Sequence, residues 1–229
     1  MPVDPTEAAM ASAYTPEERE AVYRSISERR DVRRGFLPTP LPQELLDRLL
    51  AAAHSAPSVG LMQPTRFIVV RSIETRTKVH HAFVEANQQA SQIYTGARLD
   101  AYSALKLEGI LEAPQNLCIV CEAQSTQGHG LGRQSMPETA VYSTVCAIQN
   151  LWLAARAEGV GVGWVSIVSP DALRSILTIP AELMLVAYLC LGYVDGFGNA
   201  PELERQGWER RKALADVVSY ERYQAREQP

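Results

Sequence analysis

The densest chemistry in the chain is the knot Arg29-Arg30-Asp31-Val32-Arg33. Three guanidiniums within five residues offer forked N–H donors that match the oxygens of a phosphate. Asp31 stands among them as a carboxylate that could move a proton, or that merely pairs with its neighbours. Alone, the segment supports two readings equally: an anion clamp, or basic residues that complement the C-terminal dipole of a helix.

Other candidates carry less. Cys118 and Cys121 form a C-x-x-C pair, a spacing used for zinc or dithiol chemistry. They lie in Asn116–Glu122, an apolar run behind Pro114 that reads as a buried strand. Residues three apart on a strand face opposite sides, no second C-x-x-C or H-x-x-x-H accompanies them, and they read as core thiols with no metal. Gly128-His129-Gly130-Leu131-Gly132 and Gly159-Val160-Gly161-Val162-Gly163 look dinucleotide-like, but Arg133 and Trp164 occupy the positions where G-x-G-x-x-G needs its last glycine. No Walker A sequence is present. His54, His80, His81 and His129 have no acid or nucleophile at a recognisable spacing, and Ser58 belongs to no G-x-S-x-G.

These residues need elements to position them. Thr15-Pro16-Glu17-Glu18 starts a helix with a capping box, expected to run to about Arg30 with Val22 and Ile26 facing the core. A second helix is expected over roughly 43–55, with Leu45, Leu46, Leu49 and Leu50 buried, and a short strand at Phe67–Val70. A long helical stretch at about 73–111, broken near Gly96, has a polar second half that suits a mobile cover. Residues 124–135 read as a flexible loop. A helix at 136–158 is apolar almost all round (Val141, Val145, Ile148, Leu151, Trp152), so it either crosses the domain centre or is covered by a second subunit. A strand at about 162–167, a helix capped by Ser169 with Pro170 at its first position, and a strand at about 185–194 complete one α/β or α+β domain over residues 15–229. Residues 1–14 read as a flexible arm.

Composition bounds the function. The chain has 229 residues, 46% apolar and 21% charged, with a formal net charge of −4. That balance argues against sequence-independent nucleic-acid binding. The densest apolar stretch, Leu183–Val194, is far short of the roughly 20 residues that span a bilayer. No basic region followed by an apolar run opens the chain, so no secretory leader is expected. Four cysteines in a chain of this length do not suggest a disulfide framework, and the cytoplasm is the expected compartment.

Several separated segments, taken in order, resemble the FMN-dependent nitroreductase family. Arg29–Arg33 resembles its R-R-S-x-R segment. Ala56-Pro57-Ser58-Val59-Gly60-Leu61-Met62-Gln63-Pro64, followed by the strand Arg66–Arg71, resembles its A-P-S-x-x-N-x-Q-P-W loop and strand. Gly161-Val162-Gly163-Trp164-Val165-Ser166 and Leu191-Gly192-Tyr193 are similar to its G-x-G and L-G-Y strands. Arg211-Lys212-Ala213-Leu214-Ala215-Asp216-Val217-Val218 resembles its closing R-K-P-L-E-E-V-V. The match runs in register from about residue 17 to 218. Asp31 replaces the usual serine, Met62 the loop asparagine and Thr65 the tryptophan; these departures resemble the family's 5,6-dimethylbenzimidazole synthase branch.

The resemblance implies a nitroreductase-like α+β fold, with a central, mostly antiparallel sheet flanked by helices, and a homodimer with FMN sites at the subunit interface. It implies oxygen-dependent fragmentation of reduced FMN, consumed as substrate, to 5,6-dimethylbenzimidazole and erythrose 4-phosphate. Dioxygen would be co-substrate, a separate flavin reductase would supply FMNH2, and no metal, nucleic acid or membrane would take part. Asp31 and Ser166 match the acid and serine of the chemistry. Arg29, Arg33 and Arg211 would clamp the phosphate, Arg30 would lie along the flavin, and the Ser58–Gly60 amides would face flavin N5 or dioxygen. Val32, Met62, Gln63, Trp164, Val165 and Gly192 are carried over with their motifs as FMN contacts. Two alternatives remain: an NAD(P)H:acceptor oxidoreductase of nitroreductase type that keeps its FMN, and a non-catalytic flavin-binding protein.

Overall fold

The computed structural model describes residues 13–224; the arm expected over residues 1–14 falls, apart from its last two residues, outside them. Helix α1, Pro16–Glu28, opens on the expected capping box. The Thr15 hydroxyl accepts the Glu18 N–H at 3.3 Å, and the Glu18 carboxylate accepts the Thr15 N–H at 2.9 Å. The helix ends before the arginine knot because Arg29 turns to extended geometry (φ −57°, ψ 134°). Val22 and Ile26, expected in the core, are 47% and 48% exposed. The apolar side of α1 faces away from the chain's own body.

Helix α2, Gln43–His54, buries Leu45, Leu46, Leu49 and Ala53, and leaves Leu50 half-buried. Strand β1 is Thr65–Val70. The long helical stretch resolves into α3, Ile73–Ser91, and α4, Gly96–Ser103. Residues 104–114 are irregular where helix was expected to reach about 111. The buried Arg76 side chain explains this: its Nη1 donates to the carbonyls of Ile110, Leu111 and Ala113 at 3.3, 3.2 and 2.6 Å. Those carbonyls therefore serve a side chain and not a helical ladder.

Strand β2, Gln115–Cys121, leads through the loop to α5, Thr139–Ala157, then β3, Val160–Val165. Helix α6, Pro170–Leu177, starts where the Ser169 hydroxyl accepts the Ala172 N–H. Strand β4, Met184–Tyr193, is followed by the one-turn helices α7, Glu202–Arg205, and α8, Leu214–Val217. The four strands form one sheet in the order β1-β2-β4-β3, every neighbour antiparallel. Strand alternation splits the core in two. Leu117, Ile119, Leu189, Leu191 and Val162 pack with Leu49 of α2 and Ile148 and Leu151 of α5. Cys118, Val120, Tyr188 and Cys190 pack on the other face with Val79 and Phe83 of α3 and Leu173 of α6. Cys118 and Cys121 fall in different clusters, as their strand spacing requires. No helix of the described residues is long and apolar enough to cross a membrane.

The buried protic groups give the fold an alkaline limit. Burial pushes the Cys118 thiol up to about 12 and raises the Cys190 thiol and Tyr188 phenol as well. In the unfolded chain thiols ionise near 9, so above that pH the unfolded state binds fewer protons than the folded one. Stability must then fall as pH rises, by up to about 1.4 kcal/mol per pH unit for each group. Urea midpoints should hold steady from pH 7 to 8 and drop between pH 9 and 10.5. A constant midpoint through pH 10.5 would contradict this burial.

Candidate functional site

The site begins where the chain leaves α1 and runs along the open edge of β3. The Val32 N–H donates to the Val162 carbonyl at 2.9 Å, and Asp31 pairs with Val162 as an isolated parallel bridge. Gly163 permits this approach, since a Cβ there would overlap the Val32 carbonyl oxygen; one at Gly161 would meet Val194 and crowd Val32. The G-x-G of β3 is thus a bed for residues 31–33.

Asp31 is fixed by both oxygens. Oδ1 accepts the Trp164 N–H at 2.9 Å, and Oδ2 accepts from Arg33 Nε at 2.9 Å and Nη2 at 2.6 Å. The pair is partly open, with the Asp31 side chain 29% exposed and that of Arg33 15%. Arg33 Nη1 also donates to the Lys106 carbonyl at 3.4 Å.

Arg29 lies 4.9 Å over the Trp152 ring of α5, and the Trp152 indole donates to the Arg30 carbonyl at 3.1 Å. Burial holds the Arg29 guanidinium below its ordinary value; Asp31 partly offsets this, while Arg211 and Arg30 push it further down. Its Nε is buried without a hydrogen-bond partner among the described residues. Arg29, Arg30, Asp31, Arg33, Glu202 and Arg211 share a cavity of about 200 Å³. Arg30 lines it but turns its donors elsewhere: to Ser27, Arg29, Gly198 and Asn199 carbonyls at 2.7–3.0 Å. Its guanidinium anchors the chain after β4.

A second group forms around residues 58–63. The Ser58 hydroxyl accepts the Gln63 N–H at 3.0 Å, and the Val59 N–H donates to the Ser143 hydroxyl of α5 at 3.0 Å. Gly60, Leu61 and Gln63 have φ of +55°, +55° and +47°, left-handed positions that cost the two non-glycine residues about 1–2 kcal/mol each. The loop expected to be free at 124–135 packs on this turn. Gln127 donates to the Leu61 carbonyl at 3.1 Å and to the Gln63 side chain at 3.2 Å. A Cβ on Gly60 would lie 2.9 Å from the Leu131 carbonyl oxygen.

The remaining motif residues divide. Trp164 packs near Trp152, with ring centroids 6.3 Å apart, and Ser166 is exposed just beyond β3. Val32 and Val165 are core residues beside the arginine group. Met62 is buried against Cys121 and Ala140, and a Cβ on Gly192 would strike Pro114 and Phe36. Both positions serve packing in this chain and neither borders the arginine cavity. The two groups meet α5 at Trp152 and Ser143, nine residues and so about 13 Å apart along the helix. In the sequence Trp152 reads only as part of an apolar helix, and Lys106 and Gln127 are passed over. An indole in an apolar helix and two polar residues in connecting segments carry no spacing signal.

Residues 26–193 match the profile of the nitroreductase family. The chain belongs to that family. A 5,6-dimethylbenzimidazole synthase from Rhodospirillum rubrum is 46% identical over 199 residues, covering 87% of this chain and 94% of its own. A protein of the same name from Rhodobacter capsulatus is 42% identical over 191 residues, covering 83% and 92%. Among solved structures, an iodotyrosine deiodinase bound to FMN and 3-iodo-L-tyrosine superposes with a TM-score of 0.70 at 21% identity, covering 88% of this chain and all of its own. The NADPH:FMN oxidoreductase of Vibrio harveyi gives 0.66 at 19% identity, covering 90% and 80%. These two bear on the fold, and the nitroreductase fold is the one found here.

In this nitroreductase-family chain the bed under Asp31 is a testable device. Gly163→Ala should destabilise by about 1–3 kcal/mol through overpacking and move Asp31 off the Trp164 N–H. A lowered Tm is the expected result; an unchanged Tm would show that residues 31–33 do not rest on β3 as described.

Proposed function

We infer that the protein is a 5,6-dimethylbenzimidazole synthase that consumes reduced FMN and dioxygen. The observation that carries the reading is the carboxylate of Asp31, set rigidly among four arginines of one cavity at the edge of β3. Identity of 46% to a protein of that name over most of both chains supports it.

The residues fit the flavin's phosphate. Arg29 presents a buried Nε without a partner, and no hydrogen bond or ion pair with a described residue engages the Arg211 guanidinium. The Coulombic strain between the two is relieved by an anion of two charges. Arg29 and Arg211 hold the phosphate, with Arg33 beside them. Reduced FMN supplies both the electrons for dioxygen and the carbon skeleton of the product. Asp31 then takes or returns a proton beside the ribityl chain through Oδ2, while its Oδ1 stays on the Trp164 N–H. General acid–base catalysis needs such hydrogen-bond reach. Ser166, at the exit of β3, relays a proton or orients dioxygen. Amides of the Ser58–Gly60 turn supply fixed dipoles. Metal plays no part, and FMNH2 arrives from a separate flavin reductase.

A homodimer completes the site. Along α5, Tyr142, Val145 and Cys146 are exposed, and α1 adds Val22, Tyr23 and Ile26, an apolar face suited to a second copy. Since the turn at 58–63 stands about 13 Å along α5 from the arginines, the turn that faces each arginine cavity is the one the second copy brings.

Asp31→Asn keeps an acceptor for the Trp164 N–H and removes the charge. FMNH2 binding should stay within a few-fold of wild type, while dimethylbenzimidazole, read by mass spectrometry after mixing with air, should form at least 10²-fold more slowly. Ser166→Ala should act in the same direction. Product at near wild-type rate from Asp31→Asn would sink the mechanism and favour an oxidoreductase that keeps its flavin.

For the dimer, sedimentation equilibrium at micromolar concentration should give twice the chain mass, and Cys146 should resist maleimide. Val145→Arg should yield monomers whose Cys146 reacts quickly. A monomeric wild-type protein would refute the arrangement.

A further inference from the structure

Between β4 and α8 the chain forms an arm that brings Arg211 to the cavity. Its first half is tied to the arginine knot: Arg30 donates to the Gly198 and Asn199 carbonyls, both at 3.0 Å, and Arg34 pairs with Glu202 at 2.7 Å. Its second half hangs on one side chain. Trp208 is half-buried between exposed neighbours. Its N–H donates to the Leu203 carbonyl at 2.8 Å, and its carbonyl accepts from Arg98 of α4 at 3.3 Å. The Arg98 guanidinium carbon lies 3.7 Å from the Trp208 ring centroid. Tyr94 meets the ring edge-on at 5.4 Å and is stacked on Tyr102 at 4.7 Å. The Tyr102 hydroxyl is in turn fixed on Asn87 at 2.6 Å.

Trp208 is the last of these contacts before Arg211. Residues 209–213 adopt no regular structure, α8 buries none of its residues, and Gly207 just before has φ +70°. Arg211 is three residues beyond the indole, a reach of about 10 Å. The clasp on Trp208 therefore bears directly on where the Arg211 guanidinium stands relative to Arg29.

We propose that Trp208, clasped by Arg98 and Tyr94, is a positioning residue that preorganises Arg211 for the phosphate of the flavin, so that α4 governs how strongly the protein prefers FMNH2 to reduced riboflavin. The proposal rests on the reading of Arg211 as a phosphate ligand. A clamp held in place spends less binding free energy on ordering, so loosening the clasp should cost affinity only where a phosphate is present to be gripped.

The test is anaerobic titration of the full chain with FMNH2 and with reduced riboflavin. Arg211→Ala should weaken FMNH2 binding about 10- to 150-fold, the loss of a charge-assisted hydrogen bond, and leave riboflavin unchanged. Trp208→Ala should weaken FMNH2 at least about 5-fold with riboflavin unchanged, Trp208→Phe should recover most of that loss, and the Trp208→Ala, Arg211→Ala double variant should bind FMNH2 no more weakly than Arg211→Ala alone. Arg98→Ala, which keeps the indole and removes one wall of the clasp, should show the same selective loss and serves if Trp208→Ala does not fold. Equal losses for both ligands, no loss for either, or additive losses in the double variant would overturn the positioning role while leaving the phosphate site standing. If Arg211→Ala itself leaves the FMNH2-to-riboflavin preference intact, the phosphate reading fails and the inference falls with it.

Discussion

The structure turns on how closely the backbone at Val32 can approach the edge of β3. The approach needs bare Cα atoms at Gly161 and Gly163, an edge strand with unpaired N–H and C=O groups to receive it, and a register that aims those groups outward. The register is fixed by β4, which sets Gly163 opposite Cys190 and Trp164 opposite Leu189. A slip of one residue would turn Trp164 and Val162 to the other face, placing a side chain under Val32 and moving the N–H that holds Asp31. The buried rows on both faces of β4 therefore decide where one carboxylate stands.

The electrostatics follow from that placement. A chain of net charge −4 gathers Arg29, Arg30, Arg33 and Arg211 around one cavity. The charged form of Arg29 is disfavoured in the folded state, first by burial and then by Arg211 and Arg30. Asp31 offsets part of this. Arg30 is tolerable in this company because four carbonyls solvate it. Arg29 has an indole face instead, with one nitrogen left over. An anion in the cavity would satisfy what the protein alone leaves unsatisfied, which is how a binding site differs from a structural ion-pair cluster.

What the sequence made legible was local. The capping box at Thr15, the Ser169-Pro170 helix start and the alternation of Leu117 and Cys118 each depend on a few neighbours, and each formed where expected. The arginine knot was legible as chemistry because its residues are adjacent. Failures came where distant residues decide. Val22 and Ile26 have helical spacing that requires cover, and the spacing cannot say whether the same chain provides it. Helix was expected to about 111, but Arg76, more than thirty residues away in the chain, takes the carbonyls that would have continued it. Met62 reads as a loop residue by its prolines and glycine, yet it fills a gap beside Cys121. The loop at 124–135 looked free because its hydrogen-bond partners, Leu61 and Gln63, lie some sixty residues earlier.

Asp31 stands where the family motif, as read from the sequence, has a serine. The two carboxylate oxygens do separate work: Oδ1 closes the sheet edge on the Trp164 N–H, and Oδ2 faces Arg33. A serine hydroxyl can also accept an edge N–H, so the structural task alone does not require an acid. The second oxygen is what aspartate adds, with a negative charge between guanidiniums that would otherwise only repel one another. That charge is held by Arg33 in the lining of the cavity, partly open and oriented by two fixed contacts. If the cavity holds a flavin phosphate as proposed, an oriented carboxylate beside it could shuttle a proton, whereas a serine there could only donate and accept a hydrogen bond. On the proposed reading, one side chain, on a bed already built by two glycines, would separate a fold that holds a flavin from one equipped to take it apart.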